Sequence, residues 1–213
     1  MEGKVKELNN QNHSVNDAIK RFFDIVVSLI GLIILSPLLL IIAILIKVDS
    51  KGPVFFKQVR VGQHEKEFEI LKFRTMVVDA EKHGKQITVG KDSRITKVGY
   101  FLRKYKLDEF PQLINVLFGD MSLVGPRPEV PKYTKFYNKE QKAIFEIKPG
   151  ITDYASIKYS NESELLGRAE NPEKTYIEEI MVDKLRYNLE YLRNRSVIED
   201  MSIILKTVLK ILK

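Results

Sequence analysis

Cysteine and tryptophan are both missing from the 213 residues, and histidine occurs only three times. Without thiols there is no disulfide, no thiolate zinc site and no cysteine nucleophile, which fits a reducing compartment. His13, His64 and His83 show no ligand spacing; one lies in a polar tail and two in stretches that read as turns, so all three read as solvated. No zinc-finger or RNA-binding aromatic signature occurs, and the aromatic residues do not cluster with the basic ones. Nucleic acid is therefore not an expected partner. Internal repeats and low-complexity tracts are also lacking.

What the chain does have is positive charge and one long apolar run. The formal charge of +7 calls for an anionic partner, either lipid headgroups or a phosphorylated substrate. From Phe22 to Ile46 the only charged residue is Asp24. Such a run is long enough to cross a bilayer, which takes roughly 20 apolar residues. It is not a secretory signal peptide, because a polar tail precedes it and no small-residue cleavage site follows. Both flanks are basic: Lys20 and Arg21 before, Lys47, Lys51 and Lys57 after. The positive-inside rule expects an asymmetry, and a segment that enters and leaves by one face would satisfy both flanks.

Ser36 and Pro37 lie near the middle of this run, where proline costs a helix about 3 kcal/mol. Each arm then holds about ten residues, roughly 15 Å of helix, or half of a ~30 Å hydrocarbon core. The Ser36 hydroxyl can satisfy a carbonyl that the proline frees. The expected organisation is a flexible tail over 1–15, a re-entrant membrane helix over 16–50 broken at Ser36-Pro37, and a cytoplasmic domain over 51–213.

Within that domain "VFFKQVRV" and "EFEILKFRTM" flank "GQHEK" and read as a small β-hairpin. "AEKHGKQITVGKDS" reads as a loop. Ser93 is a candidate N-cap for the basic helix "RITKVGYFLRKY". "LDEFPQLINVLFGD" reads as a second helix, with Pro111 in its first turn and Gly119 at its end. "GPRP" reads as a stiff loop, and "NKEQKAIFEI" as a short helix stopped by Pro149-Gly150. The C-terminal "SVIEDMSIILKTVLKILK" puts Glu199, Ser202, Lys206, Lys210 and Lys213 on one helical face, as an interfacial membrane helix does; a helix packed on the core with its lysines in water has the same pattern. The fold class is α-rich α+β.

The densest polar constellation is "RKYKLDEFPQLINVLFGDMSLVGPRPEV", residues 103–130. Asp108 and Glu109 stand where a helix begins, which suits acids whatever their function. Yet Arg103, Lys104, Lys106 and Arg127 surround them. A carboxylate among cations can attack phosphorus and form an acyl phosphate. Arginines would hold diphosphate oxygens bidentately, and Mg²⁺ would offset their charge, with Asp and Glu its only plausible ligands here. Lys72 and Arg74 of "KFRTM" share one face of a strand. A non-catalytic membrane scaffold that binds anionic lipid or nucleic acid is the competing reading, which the intact Asp108-Glu109 pair argues against.

Together "KFRTM", "LDEFPQLINVLFGDMSLVGPRP" and "IKPGIT" resemble the bacterial sugar transferases, the monotopic phosphoglycosyl transferases, from about residue 16 to the C-terminus. The size matches the minimal catalytic form. The resemblance implies a re-entrant helix turning at Ser36-Pro37, a seat on the cytoplasmic face of a bacterial inner membrane, and contact with anionic lipid. It implies transfer of a sugar-1-phosphate from a UDP-sugar to a polyprenyl phosphate, with release of UMP. By motif position Asp108 would be the nucleophile and Mg²⁺ ligand, and Glu109 its partner. Arg127 and Arg103 would bind phosphate, with Lys72 and Arg74 in support. A homodimer stays open. Where many relatives continue "PGITG", this chain reads "PGITDYAS". The stretch from Thr152 to Glu164, with Asp153, Tyr154, Ser156, Tyr159 and Asn161, is expected to border the sugar pocket. An N-acetylated amino sugar is expected by family analogy.

Overall fold

The computed structural model describes residues 2–80 and 92–211, with side chains from Asn16 onward. The loop expected around 80–93 lies mostly outside that set, as do the side chains of His13 and His83. His64 sits exposed in the hairpin turn.

The apolar run folds as one helix, α1 (Glu2–Asp49), with Pro37 inside it. The expected break at Ser36-Pro37 is not present as an interruption. The reason is local: proline has no N–H, so the Ile33 carbonyl loses its donor four residues on. Ser36 Oγ donates to that carbonyl at 2.8 Å. Only 11% of the most apolar stretch of α1 is buried, so it is not the core helix of a globular domain. Ile33, Ile34, Leu40, Ile41 and Ile44 point outward.

Both arms of α1 nevertheless rest on the same body. Before the proline, Arg21 donates to the carbonyls of Val116 (2.6 Å) and Leu117 (3.0 Å), Asp24 Oδ1 accepts from the Leu123 amide at 3.1 Å, and Lys20 pairs with Asp200. After it, Ile42 and Ile46 are buried with Phe73 and Leu102, and Asp49 Oδ2 accepts from the Val98 amide at 3.0 Å.

Strands β1 (Phe55–Val61) and β2 (Glu67–Phe73) form the expected hairpin, paired from Phe55 with Phe73 to Val61 with Glu67. Helix α2 (Lys97–Lys104) is capped by Thr96, whose hydroxyl accepts from Gly99 N at 3.0 Å. Ser93 was the expected cap; instead Ile95 bridges to Met76, which delays the helix. Gly99 lets α2 touch the end of β2, since a Cβ there would lie 2.1 Å from the Thr75 carbonyl oxygen. The "LDEF" helix is divided. A tight 3₁₀ turn covers Leu107–Glu109, followed by α3 (Gln112–Phe118), which ends at Gly119 with φ 96°.

Beyond it come β3 (Ser122–Val124) and α4 (Pro131–Thr134), a 3₁₀ turn at Gln141–Glu146, and then β4 (Gly150–Thr152). β3 and β4 pair in parallel, a sheet with no counterpart among the sequence expectations. Helices α5 (Tyr154–Lys158), α6 (Glu162–Gly167) and α7 (Pro172–Thr175) lead through a π turn, Tyr176–Ile180, into α8 (Met181–Asn194). Helix α9 (Val197–Ile211) closes the described chain. It buries Ile203 and turns Ile198, Met201, Leu205 and Val208 outward at helical spacing.

Candidate active site

Asn115 of α3 sets the site's frame. Its side chain accepts from Leu71 N at 2.9 Å and donates to the Glu69 carbonyl at 2.8 Å, imitating a neighbouring strand along β2. That fixes the turn before α3 against Lys72. Lys106 enters the turn with φ 56°, a left-handed conformation that costs an L-residue roughly 1–2 kcal/mol. Successive residues of the 3₁₀ turn that follows, at about three residues per turn, point the two adjacent acids in different directions.

Glu109 is fully engaged. Lys72 Nζ lies 2.9 Å from its Oε1, Arg127 Nη1 donates to its Oε2 at 3.1 Å, and Arg127 Nη2 grips Oε1. Burial works upward on its pKa, but Arg127 and Lys72 outweigh it and hold Glu109 well below the usual carboxylate range. Asp108 is the opposite case. Its carboxylate takes no hydrogen bond and no ion pair among the described residues, and it lines a cleft of about 910 Å³. Burial, reinforced by the charge on Glu109, pushes its pKa up. One acid is a fixed counter-ion; the other is an unspent carboxylate facing open space, with Lys72, Arg103 and Lys106 close enough to attract it.

Arg127 is held from behind. Its own amide donates to Asp153 Oδ2 at 3.2 Å, and Pro126 and Pro128 restrict the backbone on either side. Arg103 lines the cleft, with Nε on Thr75 Oγ1 at 2.8 Å. Arg74 lines the same cleft, but much of its guanidinium is committed elsewhere. Past the end of β2 its side chain turns to the carbonyls of Ser50 (2.8 Å) and Lys51, where it caps the end of α1.

The proposed sugar ligands also lie elsewhere. Asp153 is the N-cap of α5, accepting from Ser156 N at 2.6 Å; Tyr154 donates to Glu199 Oε1 at 2.5 Å, and none of Asp153, Tyr154 and Ser156 lines the cleft. The later part of the same stretch, Ser160 to Glu164, does line it.

A second buried cluster adjoins the dyad. Arg60 donates to the Pro128 carbonyl at 3.2 Å and to Gln58 Oε1 at 2.6 Å, and lies 3.4 Å from Glu129 Oε1. Glu129 also accepts from the Tyr176 hydroxyl and from its neighbour's amide, Val130 N, at 2.7 Å. Sequence reasoning missed these residues, although Glu129 directly follows "PRP". Among the described residues no three His, Asp or Glu side chains gather as a metal cage.

The profile of the bacterial sugar transferases matches residues 15–213. The chain belongs to the bacterial sugar transferase family. It is 41% identical over 203 residues to a UDP-glucose:undecaprenyl-phosphate glucose-1-phosphate transferase of Klebsiella pneumoniae, covering 93% of this chain and 41% of the relative. It is 39% identical over 197 residues to a UDP-N-acetylgalactosamine-undecaprenyl-phosphate N-acetylgalactosaminephosphotransferase of Aeromonas hydrophila, covering 91% and 44%. An exopolysaccharide production protein of Rhizobium leguminosarum bv. phaseoli matches at 38%, over 89% of this chain and 93% of its own length. The sugar transferase described here thus spans less than half of the first two relatives. The paired acids and the arginine between prolines all fall inside the matched region.

Proposed function

We propose that this sugar transferase moves a sugar-1-phosphate from a UDP-sugar to a polyprenyl phosphate at the cytoplasmic face of a bacterial inner membrane. The observation that carries the reading is the Asp108 carboxylate on the cleft, unpaired among the described residues, beside a Glu109 already neutralised by Lys72 and Arg127. An Asp108 oxygen attacks the sugar-bearing phosphorus, and the bond from that phosphorus to the UMP oxygen breaks. The polyprenyl phosphate oxygen then attacks the same phosphorus and frees Asp108, giving the polyprenyl-diphosphate sugar. Splitting one displacement into two is the usual gain from a covalent nucleophile. Arg127, planar and held by its backbone, is suited to two phosphate oxygens at once. Asp108 and the substrate's own oxygens form the kind of donor set Mg²⁺ accepts, one or two carboxylates plus phosphates, and a bound Mg²⁺ would offset the diphosphate charge.

UMP release should require both a UDP-sugar and polyprenyl phosphate for sustained turnover, and UDP-sugar alone should give at most one equivalent. A panel of UDP-sugars assayed in this way tests the reading; no UMP from any of them overturns it. The donor names of the relatives divide between glucose and N-acetylgalactosamine.

The proposed membrane seat rests on α1. A straight span would carry its two ends to opposite sides, yet both arms are stapled to one body. The outward apolar side chains of α1, and those of α9, then enter one leaflet. Single cysteines introduced as Asn16→Cys and Lys51→Cys, in a chain with no native cysteine, should both label with an impermeant reagent from the cytoplasmic side only. Labelling of the two from opposite sides would make α1 a span. Replacing Ser36 and Pro37 with leucine should push the helix toward spanning, because an unbroken run of this length fits the bilayer.

A further inference from the structure

The cleft extends to both sides of the dyad, and its two ends differ. Toward α1 it is lined by Pro53, Phe55, Val77, Val78 and Tyr100. The neighbours of that end, Phe73 and Leu102, share a core cluster with Ile42 and Ile46 of α1. The other end is lined by Tyr137, Tyr176, Met181, Lys184, Leu185 and Asn188. Its apolar members belong to a separate core cluster that contains no residue of α1.

Asn188 is the anomaly of this far end. Met181, Lys184, Leu185 and Asn188 are spaced i, i+3, i+4, i+7 on α8, so one helical face looks into the cleft. Asn188 is only 5% exposed, yet its amide takes no hydrogen-bond partner among the described residues. Its amide atoms are not sealed from solvent: they open onto the cleft, where a ligand can take both the donor and the acceptor. The Tyr137 hydroxyl, on a residue 8% exposed, is likewise without a hydrogen bond among the described residues. Two unspent polar groups thus face one aromatic recess, with Tyr133 and Tyr176 packed edge to face at 5.0 Å beside them.

We propose that this recess binds the pyrimidine base of the donor nucleotide, with the Asn188 amide reading the base edge; the proposal rests on the UDP-sugar reading above. An amide presents a donor and an acceptor side by side, the complement of the adjacent N–H and C=O of uracil. The position along the cleft favours the base over the sugar. The sugar is bonded through oxygen to the very phosphorus that Asp108 attacks, so it must lie at the dyad. The base is separated from that phosphorus by a second phosphate and a ribose. Between Asp108 and the recess the structure interposes the Glu109–Arg127 pair and then the Arg60–Glu129–Tyr176 cluster. The cationic members of that stretch suit the intervening phosphate. The π turn at Tyr176–Ile180, a feature that often marks functional sites, sets Tyr176 at the boundary.

Binding of UMP and of ribose 5-phosphate, which lacks the base, to the purified full chain tests this by calorimetry. The wild type should prefer UMP. Asn188→Leu, similar in volume and a good helix former, should weaken UMP about 10–100-fold and leave ribose 5-phosphate unchanged. Tyr137→Phe removes only a hydroxyl and should move the ratio the same way by several-fold, which keeps the test valid if the leucine variant fails to fold. Equal loss for both ligands would make Asn188 structural and overturn the proposal. Unchanged UMP affinity with an altered preference among UDP-sugars would give the amide to the sugar, which also overturns it. A wild type that discriminates as expected but releases no UMP from UDP-sugars would leave the recess standing and remove the proposed reaction.

Discussion

Asp108→Asn should reduce UMP release by roughly 10³-fold or more, the scale on which a lost covalent nucleophile is felt. No phosphosugar should remain on the protein after incubation with a UDP-sugar labelled in the sugar. The melting temperature should hold or rise. Among the described residues Asp108 takes no hydrogen bond that asparagine would forfeit, and its raised pKa means that the fold disfavours the charged form. A group with its folded pKa above the unfolded value subtracts stability once the pH exceeds both, and a neutral amide avoids that cost. Turnover near the wild-type rate would remove Asp108 from the covalent role.

Glu109→Ala should do two kinds of damage. It leaves Lys72 and Arg127 facing each other, mostly buried and without their shared counter-ion. Removing one partner from such a group costs about 3–5 kcal/mol, which in a chain of this size is a fall in melting temperature on the order of 10 °C. Turnover should fall as well, because Arg127 loses the anchor that orients its guanidinium. Inorganic pyrophosphate should recover part of the lost melting temperature, and should stabilise the variant more than the wild type. A variant that melts with the wild type would show that the three charges do not hold the site together. The linkage has a defined direction: a carboxyl held below its unfolded pKa of about 4.5 adds stability above that pH and loses it as the pH falls toward the lowered value.

The parts of this site that lie on one short segment were legible in the residues. The hairpin could be read from alternation around "GQHEK", and the adjacency of Asp108 and Glu109 needs no fold at all. What could not be read was which long side chain goes where. Lys72 and Arg74 look equivalent on a strand, but the strand ends at Phe73, and Arg74 is drawn to carbonyls at the end of α1 that no local pattern reveals. Asp153 looks like a sugar ligand and serves as a helix cap, a choice settled by the following amide, Ser156 N. Strands β3 and β4 are three residues each and pair in parallel across a gap in sequence, so neither carries a periodic signal. Asn188 falls on an apolar helical stripe, where a lone polar residue is easily taken for a core exception.

For the proposed transfer to a lipid phosphate, the staples along α1 have a consequence. Arg21, Asp24 and Asp49 fasten the helix to the catalytic body on both sides of the proline, and Arg74 clamps its end. With α1 as the proposed seat, the Asp108 carboxylate would ride at a constant height above the acyl region, like a reading head on a fixed arm. Such an arm meets every carrier at its phosphate, because the phosphate is the one part that floats at the same level whatever hangs beneath it. Under that proposal the protein would recognise the head and, beside Phe55, Val77 and Val78 on the cleft, the first units of the tail. The remaining length of the tail would stay in the bilayer, unmeasured by the protein.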